Sequence, residues 1–261
     1  MDFRIKGRNA LITGGSMGIG RATAVELSRE GVNVAICARN AERAHAAAAE
    51  IAAETRGRVV AVPGDLSRAE EVERVVDATR EALGGIDILV NNAGASPAGR
   101  IHELTDDQWR ASFDLKLMGY VRCARAVLPG MKERRWGRII NVTGRGGELA
   151  TPTYLLGGFN AAATHFSRAL ALEAAPHKVL VNAVSPGGVN TARIRSIVAQ
   201  KSRVTGRSEE EIAAQWNATV PLGAMAEPED VADLITFLCS ERARHIVGAV
   251  VHIDGGGMGG V

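Results

Sequence analysis

Short apolar runs alternate with helix-like stretches along the whole of the 261-residue chain. The runs show no alternation of polar and apolar positions, which is typical of strands buried on both faces of a sheet. Strands that alternate with helices predict βαβ crossovers and a mostly parallel sheet. The predicted strands are Asn9–Thr13, Val32–Cys37, Arg58–Val62, Ile86–Val90, Arg138–Thr143, Val179–Val184 and Ala249–Ile253. We therefore predict an α/β fold in which residues 1–261 form a single doubly wound domain, with about seven mostly parallel strands and helices on both faces.

The stretches between the runs have the composition and the end signals of helices. The predicted helices are Arg21–Glu30, Ala41–Glu54, Arg68–Leu83, Asp106–Met131, Gly158–Ala175 and Pro228–Ser240. Asp65, Leu66 and Ser67 are expected to cap the third of these helices. One polar, basic segment, at about residues 190–221, interrupts the alternation, and we interpret it as a helical lid over a substrate site.

Composition and charge exclude several classes of function. The chain has 31 basic and 29 acidic residues, and a net charge of +2 gives no support for binding to nucleic acid or to a membrane surface. No apolar stretch approaches the ~20 residues that span a bilayer, and no secretory signal is visible in Met1–Arg8, so we expect none. The three cysteines are far apart, and the histidines lack metal-ligand spacing. We expect a cytoplasmic protein without disulfides or a metal centre.

A glycine-rich loop follows the first predicted strand and opens a helix. In this loop, Thr13-Gly14-Gly15-Ser16-Met17-Gly18-Ile19-Gly20, Gly14 permits a tight turn and Gly18 permits close approach of a pyrophosphate. Gly20 permits close packing of the helix on the strand, and the helix N-terminus supplies N–H donors. The strand–turn–helix context makes this a candidate dinucleotide site.

Five motifs in order resemble those of the short-chain dehydrogenase/reductase family, over essentially the whole chain. They are the Thr13–Gly20 loop, Asp65-Leu66, Asn91-Asn92-Ala93-Gly94, Ser185-Pro186-Gly187 with Thr191, and Asp254-Gly255-Gly256. The resemblance implies a Rossmann-type sheet, a nicotinamide cofactor and, usually, a homotetramer. It implies that Asp65 meets the adenine and that Asn92 and Gly94 line the adenosine ribose. It places the nicotinamide beside Pro186, Gly187 and Thr191. The full set of implied cofactor-binding residues is Gly14, Ser16, Met17, Gly18, Ile19, Gly20, Arg39, Asp65, Leu66, Asn92, Ala93, Gly94, Pro186, Gly187 and Thr191.

The end of the second predicted strand favours NADP over NAD. An NAD enzyme places a carboxylate there for the ribose hydroxyls, but this chain has Ala38 followed by Arg39. An arginine can pair with the 2′-phosphate of NADP. Met17 lies where many NADP-binding members carry a second basic residue, so we expect Ser16 to help as a neutral donor.

The proton-transfer residues of the family are incomplete in this chain. The family uses a Tyr with a Lys four residues later, a Ser about thirteen residues before the Tyr, and an Asn on the preceding long helix. Neither Tyr120 nor Tyr154 has a Lys four residues after it. Alignment on the helix Phe166–Glu173 places Leu156 at the Tyr position and Asn160 at the Lys position. The chain therefore resembles an atypical branch, similar to the β-ketoacyl-carrier-protein reductases but without the Tyr-x-x-x-Lys set.

Lys116 stands where the family has its Asn, so that Lys and Asn appear exchanged between Lys116 and Asn160. We expect burial beside the cofactor to lower the pKa of Lys116, so that it can donate a proton. Thr143 aligns with the family's Ser, whereas the competing alignment places Gly144 there and leaves no hydroxyl. Tyr154 is a further candidate donor. The alternative interpretation is that Lys116 is a solvated helix residue and Asn160 a space-filling one.

These observations favour an NADP-dependent oxidoreductase of the carbonyl reductase or alcohol dehydrogenase type, acting on a small molecule. The proton would come from Lys116, from a water held by Thr143 and Asn160, or from the substrate. Arg145, in the loop where the family binds substrate, could hold a carboxylate or phosphate, although a solvated arginine explains it equally well. Two other functions remain: a non-catalytic NADP-binding protein, and a non-redox lyase or dehydratase on the same scaffold.

Overall fold

Seven strands form one sheet in the computed structural model, which describes residues 2–94 and 97–258 except for the side chains of residues 200, 201 and 204. They are β1 (Asn9–Thr13), β2 (Asn33–Cys37), β3 (Val59–Ala61), β4 (Ile88–Asn91), β5 (Gly137–Val142), β6 (Val179–Pro186) and β7 (Val250–Ile253). The strand order is β3-β2-β1-β4-β5-β6-β7, and all neighbouring strands are parallel. The predicted sheet is confirmed, and it is parallel throughout.

Helices cover both faces of the sheet. They are α1 (Gly18–Arg29), α2 (Ala41–Thr55), α3 (Ala69–Leu83), α4 (Asp106–Ser112), α5 (Gly119–Arg134), α6 (Gly158–Ala174), α7 (Ala192–Thr205), α8 (Glu209–Asn217) and α9 (Pro228–Cys239). The helices α1, α2 and α9 pack on one face of the sheet, and α3, α5 and α6 pack on the other. The doubly wound prediction is therefore confirmed.

Consecutive strand residues point into two different cores, which explains the uninterrupted apolar runs. In β1, Leu11 joins the core under α3, α5 and α6, whereas Ile12 joins the core under α1, α2 and α9. Ile139 and Ile140 of β5 divide in the same way. Side chains alternate across a strand, so a strand covered on both faces needs apolar residues at every position.

The winding of the chain creates a crevice between β1 and β4. These two strands are neighbours, because the chain first winds outward from β1 to β3 and then crosses back to β4. In an open parallel sheet, ligands bind at such a switch point, outside the carboxyl ends of the strands. The glycine loop and Asn92 follow these two strand ends.

The helix predicted over Asp106–Met131 is not continuous. A π-helical segment, Phe113–Met118, separates α4 from α5, and α5 continues to Arg134. Such segments have i→i+5 hydrogen bonds, accommodate an extra residue and often occur at functional sites. Of the six residues in this segment, Lys116 is the buried one. The interruption therefore coincides with a lysine that faces the interior.

Two predicted helix starts were wrong. Helix α1 begins at Gly18 rather than at Arg21, because the last glycines of the loop already form its first turn. Helix α3 begins at Ala69, and no side chain caps it. Asp65 does not cap α3, because its Oδ1 accepts hydrogen bonds from the backbone N–H and the hydroxyl of Ser67.

The segment of residues 190–221 is helical, as predicted, and contains α7 and α8. Within the described ranges, no helix has the length and apolar character that crossing a bilayer requires.

Candidate active site

The glycine loop makes a tight turn between β1 and α1. Gly14 has a φ of 67°, a conformation that residues with a Cβ rarely adopt. A Cβ on Gly20 would collide with the carbonyl oxygen of Gly14, so α1 approaches the loop as closely as its backbone allows. Met17, the N-cap residue of α1, makes no side-chain capping bond. Because Met17 does not cap the helix, the N–H groups of Gly18, Ile19 and Gly20 point toward the crevice with the positive end of the helix dipole.

Hydrogen bonds join the carboxyl ends of β1 and β4. The hydroxyl oxygen of Thr13 accepts from the backbone N–H groups of Asn92 and Ala93, each at 2.9 Å. The side-chain amide of Asn92 donates to the carbonyl oxygens of Thr13, at 3.0 Å, and Gly14, at 3.3 Å. The structure thus brings Asn92, Ala93 and the glycine loop together, and it uses the Asn92 amide to hold the loop in place.

A cleft of about 230 Å³ lies at the carboxyl ends of β2 and β3. Arg39 and Asp65 line one side of this cleft, and α4 with the π-helical segment lines the other. Arg39 is exposed, and no described carboxylate lies within ion-pairing distance of it. Leu66 is buried beneath the cleft, with its carbonyl against Gly119. The cleft therefore has a cation available at its rim.

The residues expected at the nicotinamide lie on the opposite side of the glycine loop. Pro186 ends β6, and the N–H of Gly187 donates to the carbonyl of Ile253 at 3.1 Å. Thr191 is the N-cap residue of α7, and its methyl group would lie 3.2 Å from a Cβ on Gly18. The start of the predicted lid therefore touches the glycine loop.

Lys116 lies between the carboxyl ends of β4 and β5. Its Nζ donates to the carbonyl oxygen of Val142 at 2.6 Å, to the hydroxyl of Tyr120 at 3.0 Å and to the carbonyl oxygen of Thr143 at 3.4 Å. Its stem lies against Gly94. The residue is 8% exposed, so it is not the solvated helix residue of the alternative interpretation.

Burial changes the protonation of Lys116. Removal of the ammonium from water lowers its pKa from 10.5 to about 7, and the positive charge of Arg193 on α7 contributes to the same shift. A group with this pKa is present in both protonation states near neutral pH. It can therefore either donate or accept a proton there.

Asn160 reaches the same strand end from the other side. It is buried in the first turn of α6, and its amide nitrogen would lie 3.4 Å from a Cβ on Gly144. The Thr143 hydroxyl donates to the carbonyl of Val184 at 3.1 Å, toward β6. Lys116 and Asn160 thus flank the end of β5, and Gly144 rather than the Thr143 hydroxyl faces Asn160.

The other residues near this strand end are less central. Tyr154 is half-buried just before α6, and its ring packs against Gly146 at the rim of the site. Leu156, at the family's Tyr position, is buried and 1% exposed. Tyr120, which our sequence analysis did not propose, is a direct partner of Lys116. The signal for it is the spacing of four residues, which places two side chains on one face of a helix.

The loops that follow β5 and β7 are joined at the rim. Arg145 donates to the carbonyl of Gly257 at 3.3 Å. Glu148 Oε1 and His252 Nε2 are 2.8 Å apart. Within the described ranges, no group of three or more His, Cys, Asp or Glu side chains could hold a metal ion. The rim therefore offers charged groups near the substrate side of the site.

Known proteins match this chain over nearly its whole length. Residues 14–257 match a family model described as enoyl-(acyl carrier protein) reductase. The chain is 34% identical to the 3-oxoacyl-[acyl-carrier-protein] reductase of Aquifex aeolicus, over 98% of this chain and 99% of that protein. It is also 34% identical to the D-beta-hydroxybutyrate dehydrogenase of Cupriavidus necator, over 97% and 98% of the two chains.

The fold also matches a solved structure over its full length. The L-sorbose reductase of Gluconobacter frateurii, complexed with NADPH and L-sorbose, superimposes with a TM-score of 0.96, at 33% identity and with 100% of both chains covered. The family model, the sequence relatives and the solved structure each match nearly the whole chain. The chain belongs to the short-chain dehydrogenase/reductase family of oxidoreductases.

Proposed function

We propose that this protein is an NADP-dependent oxidoreductase that interconverts a carbonyl and an alcohol on a small molecule. The observation that carries the proposal is the placement of Lys116 beside Gly94, on the same edge of the sheet as the glycine loop. A buried lysine thus lies next to the crevice in which the family binds its dinucleotide. The L-sorbose reductase complex with NADPH, to which the chain is similar, supports the same assignment.

The residues present fit a dinucleotide. Gly20 and Gly14 leave no room for a Cβ, and the N-terminus of α1 has no side-chain cap, so backbone N–H groups are available for a pyrophosphate. Arg39 would hold the 2′-phosphate, and Ser16 would add a neutral donor. Asp65 and Leu66 would contact the adenine. Asn92, Ala93 and Gly94 would border the ribose, and Pro186, Gly187 and Thr191 would border the nicotinamide. When bound, the nicotinamide supplies or accepts the hydride.

Lys116 would handle the proton in place of the missing Tyr-x-x-x-Lys set. Val142 and Tyr120 hold its Nζ, while the contact with the carbonyl of Thr143 is long enough to leave that N–H available to a substrate oxygen. The amide of Asn160 would polarise the same oxygen from the other side of the strand end. Because the Thr143 hydroxyl donates to the carbonyl of Val184 and does not face Asn160, we assign it no part in holding a water with Asn160. We assign Tyr154 a packing role at the rim.

We further propose that residues 190–221 form a lid over the substrate, because the segment begins where Thr191 touches Gly18. We also propose a homotetramer, as in many family members. Light scattering of the purified protein measures the number of subunits, and a monomer would contradict the proposed assembly.

Two measurements test the activity. NADPH and NADH are titrated against the protein, and NADPH oxidation is then followed with a panel of ketones and aldehydes. We expect tighter binding of NADPH than of NADH, and turnover with at least one carbonyl. Binding without turnover on the whole panel would favour a non-catalytic NADP-binding protein. A product formed without any change in nicotinamide absorbance would favour a lyase or dehydratase.

The role of Lys116 is tested by Lys116→Met, with Lys6→Met as the matched control on the exposed surface far from the crevice. General acid catalysis is worth about 10²–10⁴-fold, so kcat should fall within that range in Lys116→Met. The affinity for NADPH should change little. A normal kcat in Lys116→Met would remove the proposed role of this lysine.

A further inference from the structure

Tyr120 is a polar residue in an otherwise apolar position. It is 1% exposed on α5, one turn after Lys116. Its hydroxyl accepts from Lys116 Nζ at 3.0 Å and donates to the carbonyl oxygen of Val142 at 2.9 Å. The same carbonyl accepts from Lys116 Nζ at 2.6 Å. The three groups form a closed triangle of hydrogen bonds at the end of β5.

The triangle restricts the position of the lysine amine. A lysine side chain has several rotatable bonds and three N–H donors, and it does not adopt one position unless acceptors hold it. Here two donors are directed to Val142 and Tyr120, whereas the distance to the Thr143 carbonyl is 3.4 Å. The third N–H is therefore the least engaged of the three.

We propose that Tyr120 is a positioning residue for Lys116: its hydroxyl and the carbonyl of Val142 fix the lysine amine so that one N–H is directed to the substrate oxygen. The inference rests on the proposed function of Lys116 as the proton-handling residue. It gives the chain a Lys-x-x-x-Tyr pair on the helix after β4, in reverse order to the pair that its family carries after β5. The tyrosine does not touch the substrate and acts through the lysine.

Besides fixing the position of the amine, Tyr120 affects the pKa of Lys116, as the titratable groups around the triangle show. Arg193 from α7 disfavours the ammonium, and Cys123 and Tyr154 are the groups that face the phenol. Asp114, on the same π-helical segment, pairs with Arg122 at 3.4 Å. No described carboxylate lies within 4.0 Å of Lys116 Nζ. The acceptors that stabilise the ammonium are therefore the hydroxyl of Tyr120 and two backbone carbonyls.

Loss of the phenol oxygen should make the ammonium less stable. A hydrogen bond to a charged group is worth about 1–2 pH units of pKa, so Tyr120→Phe should lower the pKa of Lys116 by that amount. The limb of the pH–kcat profile on which activity falls with rising pH should move to lower pH by the same amount. Because the pKa starts near 7, the protonated fraction and with it kcat at pH 7 should fall by about 5- to 50-fold, with little change in KM.

The matched control is Thr79→Val on α3. It also removes a buried hydroxyl that donates to a backbone carbonyl, at 2.7 Å to Val75, but it lies away from Lys116. Thr79→Val should leave the pH profile in place. Both variants should lower the melting temperature. If Tyr120→Phe also left the pH profile unchanged, Tyr120 would have only a structural role and the inference would be wrong.

A second measurement does not depend on activity. The free energy of unfolding is measured as a function of pH for two pairs of proteins. The first pair is the wild type and Lys116→Met, and the second pair is Tyr120→Phe with and without Lys116→Met. The difference within each pair is the contribution of Lys116. The pH at which this difference begins to change reports the pKa of Lys116 in the folded chain. It should lie about 1–2 pH units lower in the Tyr120→Phe background. An unchanged onset would overturn the inference, whereas a wild-type chain that binds NADPH and reduces no carbonyl would overturn the proposed function instead.

Discussion

The side-chain amide of Asn92 lies 3.0 Å from the carbonyl oxygen of Thr13, so the chain leaving β4 is bonded to the chain leaving β1. This contact closes the bottom of the crevice at the switch point of the sheet. The Asn92 amide also restricts position 20 to glycine, because a Cβ on Gly20 would lie 2.6 Å from the same amide nitrogen. The shape of the candidate cofactor site therefore depends on a contact between residues that are far apart in the sequence.

Gly20→Ala should destabilise the protein and weaken binding of NADPH. The added methyl group overlaps the carbonyl of Gly14, and overpacking of this kind costs about 1–3 kcal/mol. Chemical denaturation measures the stability, and a fluorescence titration measures the affinity. Gly158→Ala is the matched control, since nothing lies within 4 Å of its Cβ position at the start of α6. It should stabilise the chain by up to about 1 kcal/mol, and a destabilising effect as large as that of Gly20→Ala would contradict this account.

Arg39→Ala should reduce the preference for NADPH. A hydrogen bond between charged groups contributes about 1.5–3 kcal/mol, so the Kd for NADPH should rise by roughly 10- to 100-fold, with the Kd for NADH nearly unchanged. Calorimetric titration of both nucleotides measures the ratio. Arg43→Ala, an exposed arginine in the first turn of α2, is the control. An equal loss for both nucleotides would place Arg39 away from the 2′-phosphate.

Lys116→Met should change how stability depends on pH. The pKa of Lys116 is about 7 in the folded chain, and it has the ordinary lysine value of 10.5 in the unfolded chain. Between pH 7 and pH 10.5 the unfolded chain therefore binds more protons than the folded chain. The contribution of Lys116 to the free energy of unfolding is therefore lowest below pH 7. It rises with pH up to 10.5, with a slope of at most about 1.4 kcal/mol per pH unit. Removal of the amine abolishes this contribution, so the stability of Lys116→Met relative to that of the wild type should be highest at and below pH 7, where the full cost of burying the ammonium is present.

Urea unfolding at a series of pH values measures this difference. It should be largest at and below neutral pH and should shrink as the pH approaches the ordinary pKa of lysine. A difference that stays constant with pH would show that Lys116 titrates alike in the folded and unfolded chains. The buried position of the amine would then have no effect on its protonation.

The three cysteines should be inert in the folded protein. Cys37, Cys123 and Cys239 are buried, and burial raises the pKa of each thiol to about 12. The thiolate is the reactive form, so iodoacetamide at neutral pH should not label the native chain. Mass spectrometry should show full alkylation after denaturation. Rapid labelling of a thiol before unfolding would contradict the observed burial.

The sheet and the position of the glycine loop could be predicted from the sequence alone. Both have local causes: a strand covered on two faces needs an apolar residue at every position, as with Leu11 and Ile12, and the turn at Gly14 needs a residue without a Cβ. The family motifs then placed Arg39 and Asn92 near the crevice. The proposed preference for NADP rests on Arg39 at the end of β2, and this arginine can be identified from the sequence.

The arrangement of side chains around Lys116 depends on contacts between elements that are distant in the sequence. From hydrophobic periodicity alone, the apolar neighbours of Lys116 in Phe113–Met118 would face the interior, and the burial of the lysine is expected only from the family resemblance. The lysine is buried because acceptors from other elements, the carbonyl of Val142 and the hydroxyl of Tyr120, satisfy its N–H groups. Thr143 turns its hydroxyl to β6 for a similar reason, because the carbonyl of Val184 lies there. The spacing of four residues places Tyr120 on the same helix face as Lys116, but the carbonyls of Val142 and Val184 reach these side chains only through the pairing of strands and the packing of helices.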